Sequence, residues 1–88
     1  MYLHLGRDVV VSTNDILGIF DLDNSTVKKS TRDFLEKMQR RGEIVDVSEE
    51  LPKSFILCRN GRGQMVYLSQ ISPATLLKRA TGKNLDFA

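Results

Sequence analysis

The chain changes its hydrophobic period several times. Tyr2-Leu3-His4-Leu5 alternates in the manner of a short strand. Gly6 and Arg7 then suit a tight turn, with Gly6 supplying a positive φ. Val9 to Ser12 returns antiparallel, because three consecutive β-branched valines favour strand over helix. Thr13-Asn14-Asp15 is a break of turn-prone residues that either caps one turn of helix or bends the chain. Ile16 to Leu22 reads as another strand, with Gly18 marking a bulge or a close backbone approach. A strand with one wet face alternates apolar and polar side chains. Ile16, Leu17, Ile19 and Phe20 instead fill both parities.

The period turns helical after Asp21-Leu22-Asp23-Asn24-Ser25-Thr26, an acidic stretch rich in N-cap residues. From about Ser25 to Arg41, Val27, Thr31, Phe34, Leu35 and Met38 share one face. Arg40 and Arg41 followed by Gly42 make a C-terminal signal. Ile44 to Val47 is a short strand, and Ser48 to Lys53 a loop in which Pro52 blocks regular pairing. Ser54 to Arg59 and Gln64 to Ser69 are strands joined by Asn60-Gly61-Arg62-Gly63, where Asn-Gly favours a type I′ turn. Both strands are again apolar on both parities. Ser72-Pro73 opens a second helix that runs to Thr81, with Leu76, Leu77 and Ala80 on its apolar side. Lys78 and Arg79 suit its C-terminal end, and Gly82 stops it. The tail, 82–88, is expected to be loosely held.

The order of elements predicts an α+β fold in one domain, 1–88. It has a largely antiparallel sheet of four to six short strands, one long helix and one short one. The long helix covers one face of the sheet, and the second helix is too short for the other. Fully burying a Leu, Ile or Phe stabilises by roughly 1.5–3 kcal/mol, and monomers rarely leave such a patch open. A neighbouring subunit is the simplest cover, so the pattern predicts a homo-oligomer with Ile16, Leu17, Ile19 and Phe20 at its interface. The competing arrangement folds the N-terminal hairpin over the sheet as a second layer.

Composition narrows the chemistry. The chain has 88 residues, 41% of them hydrophobic and 27% charged, with a net charge of +2. That charge permits a nucleic-acid partner without arguing for one. No apolar run approaches a membrane span and no signal peptide is evident, so a cytoplasmic protein with no membrane partner is expected. Cys58 is the single cysteine; it excludes an intrachain disulfide and reads as a small buried hydrophobe. A nucleophile would need a base, and His4 lies in a different strand. There is no glycine-rich phosphate loop, no metal-ligand spacing and no acid/base pair, so no enzyme, cofactor, metal or small-molecule substrate is expected.

The stretches YLHLGRDVVVSTNDILGIFD, MQRRGEIVD and VYLSQISPATLLKRA together resemble the small bacterial extracellular-matrix regulators of the Rem type. The likeness covers roughly Tyr2 to Ala80. His4-Leu5-Gly6 and Leu17-Gly18-Ile19-Phe20 look closest to the B-type branch. The resemblance implies a small α+β protein that assembles into ring-shaped homo-oligomers. In the A-type branch such rings bind DNA and activate biofilm-matrix genes. That branch places arginine just after the Val-Ser strand and again in the loop after the strand that follows the long helix. Here the first position is Asp15, and the loop reads Glu49-Glu50-Leu51-Pro52-Lys53. A carboxylate repels phosphate, so both departures count against DNA.

Other cations remain as candidate phosphate contacts. They are Arg59 and Arg62 flanking the Asn60-Gly61 turn, Lys53 before the following strand, and Arg7 at the N-terminal hairpin tip. Lys78, Arg79 and Lys83 cluster near the C-terminus, the first two as helix-dipole partners. Lys28, Lys29, Arg32, Lys37 and Arg40 on the long helix interleave with Asp33 and Glu36. The spacing predicts Asp33–Lys37 and Glu36–Arg40 pairs on a solvated face. The sequence therefore points to a ring-forming transcriptional regulator of matrix genes, holding duplex DNA mainly through its phosphates. The alternative is a non-enzymatic assembly or adaptor protein of the same fold acting on a protein partner.

Overall fold

A computed structural model describes residues 1–22 and 28–81. The elements run β1 (Tyr2–Gly6), β2 (Val9–Ser12), a 3-10 turn (Thr13–Asp15), β3 (Ile16–Asp21), α1 (Lys29–Arg40), β4 (Ile44–Asp46), β5 (Ser54–Asn60), β6 (Gly63–Ser69) and α2 (Pro73–Thr81). The α+β class follows. The strands form two sheets rather than one: a β1-β2 hairpin, and a four-stranded sheet in the order β3-β5-β6-β4.

The larger sheet is antiparallel except at one edge, where β4 pairs with β6 in parallel, Ile44 opposite Val66 and Asp46 opposite Leu68. The chain leaves β3, crosses one face as α1, and returns as β4 in the direction of β3 on the opposite edge. Such a crossover requires parallel strands. Counting short connections alone misses this, because α1 is the connection.

Each face is covered from within the chain. On one side α1 lays Phe34, Leu35 and the buried Met38 over Phe55, Val66, Leu57 and Leu68. Phe20 stacks on its cross-strand partner Phe55, ring centroids 4.6 Å apart. On the other side the hairpin inserts Leu3, Leu5 and Val11 against Val47, Ile56 and Cys58, and α2 adds Leu76. The hairpin does fold over the sheet as a second layer.

The hairpin is pinned at one carbonyl. Its ladder steps from His4 opposite Val10 to Gly6 opposite Val9, leaving Leu5 as the extra residue of a bulge. The Leu5 carbonyl instead accepts from Ser69 Oγ at 2.6 Å in the buried interior. Gly6 has φ 148° and lies so close to β4 that a Cβ there would stand 2.9 Å from the Val47 carbonyl oxygen. Glycine is thus required at Gly6 both by the backbone and by the packing.

Gly18 resolves the filled parities of β3. The register shifts between Ile16 and Gly18, so Leu17 is the extra residue of a second bulge. The shift turns Ile16 to the same side as Ile19, beneath the hairpin. Gly18 and Phe20 face α1, where the Phe20 ring lies over Gly18; a Cβ at Gly18 would come within 2.6 Å of Phe20 Cζ.

The long helix starts later than its periodicity suggests. Lys28 is extended (φ −68°, ψ 152°) and is the N-cap, with no side-chain cap bond. Its carbonyl accepts from the N–H groups of Thr31 and Arg32, at 3.0 and 3.1 Å. The apolar face that reaches the sheet begins at Thr31, and tertiary contact rather than capping sets the start. The expected caps Ser25 and Thr26, the face residue Val27 and the tail 82–88 lie outside the described residues.

Candidate nucleic-acid interface

The candidate phosphate contacts lie at two opposite ends of the larger sheet. β5 has seven residues, so its ends are about 20 Å apart at ~3.3 Å per residue. One end holds the β5-β6 turn, where Asn60 pairs with Gly63 and Arg59 with Gln64. Asn60 Oδ1 accepts from the Arg62 N–H at 2.7 Å, closing the turn with a side chain. Arg59 and Arg62 are exposed, and among the described residues neither has an ion-pair partner.

Lys53 is at the other end, where its N–H donates to the Ser69 carbonyl at 2.8 Å. Arg7 is there as well. It sits in the left-handed region at φ 50°, and its Nη2 donates to the Ser48 carbonyl at 3.4 Å. Around them stand Asp21, Asp46, Glu49 and Glu50. Asp46 Oδ1 accepts from both the N–H and the hydroxyl of Ser48, and the Glu49 N–H donates to Gln70 Oε1. The loop is thereby folded back with Glu49 and Glu50 exposed.

The end with Arg59 and Arg62 has two further arginines, which the sequence assigned to the helix terminus and, for Arg40, to a pair with Glu36 on the solvated face. The Glu43 carbonyl accepts from the Val66 N–H at 2.8 Å, which brings the Arg41-Gly42-Glu43 turn level with the start of β6. Arg41 and Arg40 are 56% and 70% exposed. Arg41 Nε lies 3.4 Å from Glu43 and Arg40 Nη1 3.9 Å from Glu36. The expected Glu36–Arg40 pair is present, but Asp33 pairs with Lys29 at 3.0 Å rather than with Lys37. Only the parallel β4–β6 pairing reveals that Arg41 belongs at this end, and no local signal in the sequence marks it.

Of the expected interface residues, Ile16 and Ile19 pack inward under the hairpin. Leu17 and Phe20 remain 57% and 43% exposed on the edge strand β3. Beside Phe20, a cavity of about 270 Å³ opens between β3 and the start of α1, lined by Phe34, Phe55, Leu57, Ser30 and Thr31.

Cys58 is buried against the hairpin, and burial, with a smaller contribution from the Asp15 carboxylate, pushes its thiol up to about 11. Burial, then Cys58 and Asp15, likewise raise Tyr67. A thiol held protonated at neutral pH is a poor nucleophile. His4 is exposed, and its Nε2 lies 2.6 Å from the Arg7 carbonyl. Leu3 and Leu5, its neighbours, face inward, so His4 and Cys58 lie on opposite sides of the hairpin. Among the described residues no cluster of His, Cys, Asp and Glu could hold a metal ion. Among the described residues no helix is long and apolar enough to cross a membrane.

Comparison with known proteins gives the family. Residues 2–80 match the model of the RemA-like family, described as extracellular matrix regulatory protein A-like. The chain is also 40% identical over 80 residues to extracellular matrix regulatory protein B of Bacillus subtilis (strain 168), covering 91% of this chain and 90% of that protein. The chain therefore belongs to the RemA-like family of extracellular matrix regulators.

Proposed function

We propose that this regulator works in the cytoplasm as a homo-oligomeric ring that holds duplex DNA through its phosphates and so controls matrix and biofilm genes. The observation that carries the reading is the pair Arg59 and Arg62. Both are exposed on a stiff hairpin tip, with no ion-pair partner among the described residues, in a chain of a regulatory family. Arginine suits phosphate because its planar fork donates two parallel hydrogen bonds. Each contact is weak, and a ring would repeat it in every subunit, so that avidity rather than any single site gives affinity. Leu17 and Phe20, exposed on an edge strand, supply an apolar contact for self-association. Lys53 and Arg7 take a lesser part, because Glu49 and Glu50 share their end.

The exposed Glu49 and Glu50 favour a second reading, in which the protein is a non-enzymatic adaptor for a basic protein surface. A labelled duplex of about thirty base pairs, titrated at two salt concentrations and read by fluorescence anisotropy, separates the two. The DNA reading expects saturable binding that weakens steeply with salt and disappears in an Arg59→Gln/Arg62→Gln variant. Absence of binding at low salt would leave the adaptor.

A further inference from the structure

We infer that the arginine-bearing end of the larger sheet is one continuous phosphate-binding surface, in which Arg40 and Arg41 at the end of α1 act together with Arg59 and Arg62. The carboxylate-bearing end, with Lys53 and Arg7, then takes the lesser part. This inference rests on the DNA reading above and extends it to residues outside the hairpin tip.

The surface is built by the fold. The bond between the Glu43 carbonyl and the Val66 N–H fixes the α1–β4 turn beside the first residues of β6. Arg59 is opposite Gln64, two residues before Val66 on that same strand. Arg59 also shares parity with Phe55 and Leu57, which face α1. Its side chain therefore leaves the sheet on the α1 side, the side on which Arg40 and Arg41 stand. Phosphate charges recur along a DNA strand at intervals of a few ångströms, so cations on neighbouring strand ends and turns are spaced to meet several.

Among the described residues, four arginines, Arg40, Arg41, Arg59 and Arg62, stand at this end against three carboxylates, Glu36, Glu43 and Asp15. Glu36 and Glu43 pair with Arg40 and Arg41 at 3.9 and 3.4 Å. Exposed pairs of that kind contribute little and exchange readily. Asp15 precedes β3 at this end, and its carboxylate acts on Cys58 and Tyr67, which face the hairpin rather than α1. The C-terminal end of α1 disfavours an anion, and Arg40 and Arg41 stand in its last turn and cap, where cations offset that dipole. At the far end, Asp21, Asp46, Glu49 and Glu50 stand around Lys53 and Arg7, and Lys28, Lys29 and Arg32 open α1 there.

The test is the same anisotropy titration over a salt series, with wild type, Arg40→Gln/Arg41→Gln and Arg40→Lys/Arg41→Lys. Size-exclusion chromatography of each variant confirms an unchanged oligomeric state. The inference expects the double glutamine variant to bind more weakly and its slope of log affinity against log salt to fall by about 0.9 for each phosphate that is no longer neutralised. The lysine variant keeps most of the slope. Wild-type affinity and slope in the double glutamine variant, beside weakened binding in Arg59→Gln/Arg62→Gln, would overturn the inference and leave the DNA reading standing. No binding by wild type at low salt would overturn both.

Discussion

Replacing Ser69 by Ala should loosen the N-terminal hairpin more than it alters anything else. Ser69 is fully buried. Its hydroxyl donates to the Leu5 carbonyl at 2.6 Å and accepts from the Ile71 N–H at 3.1 Å. The first bond joins the two sheets, and the second sets the entry to α2. Leu5 is the bulged residue of β1, where the ladder register shifts. Alanine would leave two groups unpaired, and each buried unsatisfied group costs about 1–3 kcal/mol. Partial access to water for the Ile71 N–H, which is only part-buried, brings the expected total to about 2–3 kcal/mol.

Cys58 reports where that destabilisation falls. It lies 4% exposed beneath the hairpin, so a thiol reagent reaches it only when the layer opens. If the 2–3 kcal/mol comes off the opening equilibrium, labelling should accelerate roughly 30- to 150-fold. The urea midpoint should fall in parallel, with the slope unchanged. Wild-type labelling together with a wild-type midpoint would refute the claim that this hydroxyl holds the two layers together. A lowered midpoint with unaltered labelling under native conditions would mean that the reagent reaches Cys58 through a smaller opening that leaves the Ser69 bond intact.

Three further expectations follow from particular contacts. Gly6→Ala should destabilise by about 2–3 kcal/mol in urea, because it combines an unfavourable φ with a backbone collision at Val47. Stability should also fall as pH rises from about 9 to about 11, since the folded state keeps the Cys58 proton that the unfolded chain gives up. The contribution is intact below the unfolded value, and Cys58→Ala should flatten that part of the urea-midpoint profile. Leu17→Asp should reduce self-association in sedimentation without lowering the monomer's urea midpoint, because the side chain is 57% exposed and places no charge in the core.

Most elements were legible because they are local. The Asn60-Gly61 turn, the Ser72-Pro73 helix start and the valine strand each carry their own signal within a few residues. The start of α1 was not legible, because Lys28 caps it with no side-chain bond and packing of Phe34, Leu35 and Met38 decides where it lands. The edge position of β4 was not legible either: three residues, Ile44–Asp46, carry no mark of parallel pairing. The candidate surface inherits that gap. Arg59 and Arg62 could be picked out as a hairpin tip, whereas the place of Arg41 depends on a strand order that only the folded chain displays.

The apolar residues of β3 show how a two-faced strand fits a small domain. Without the bulge, Ile16 would share parity with Gly18 and Phe20 and point at α1, where Phe20 already stacks on Phe55. The extra residue moves Ile16 under the hairpin beside Ile19 and completes that core. It also leaves Leu17 outside, on an open sheet edge. Two-faced patterning alone is therefore no argument for a partner subunit, since the chain covers both faces itself. What argues for one is the remainder, Leu17 and Phe20. A bulged edge twists away from strand addition. Self-association at β3 should accordingly run through side-chain packing around Leu17, not through extension of the sheet.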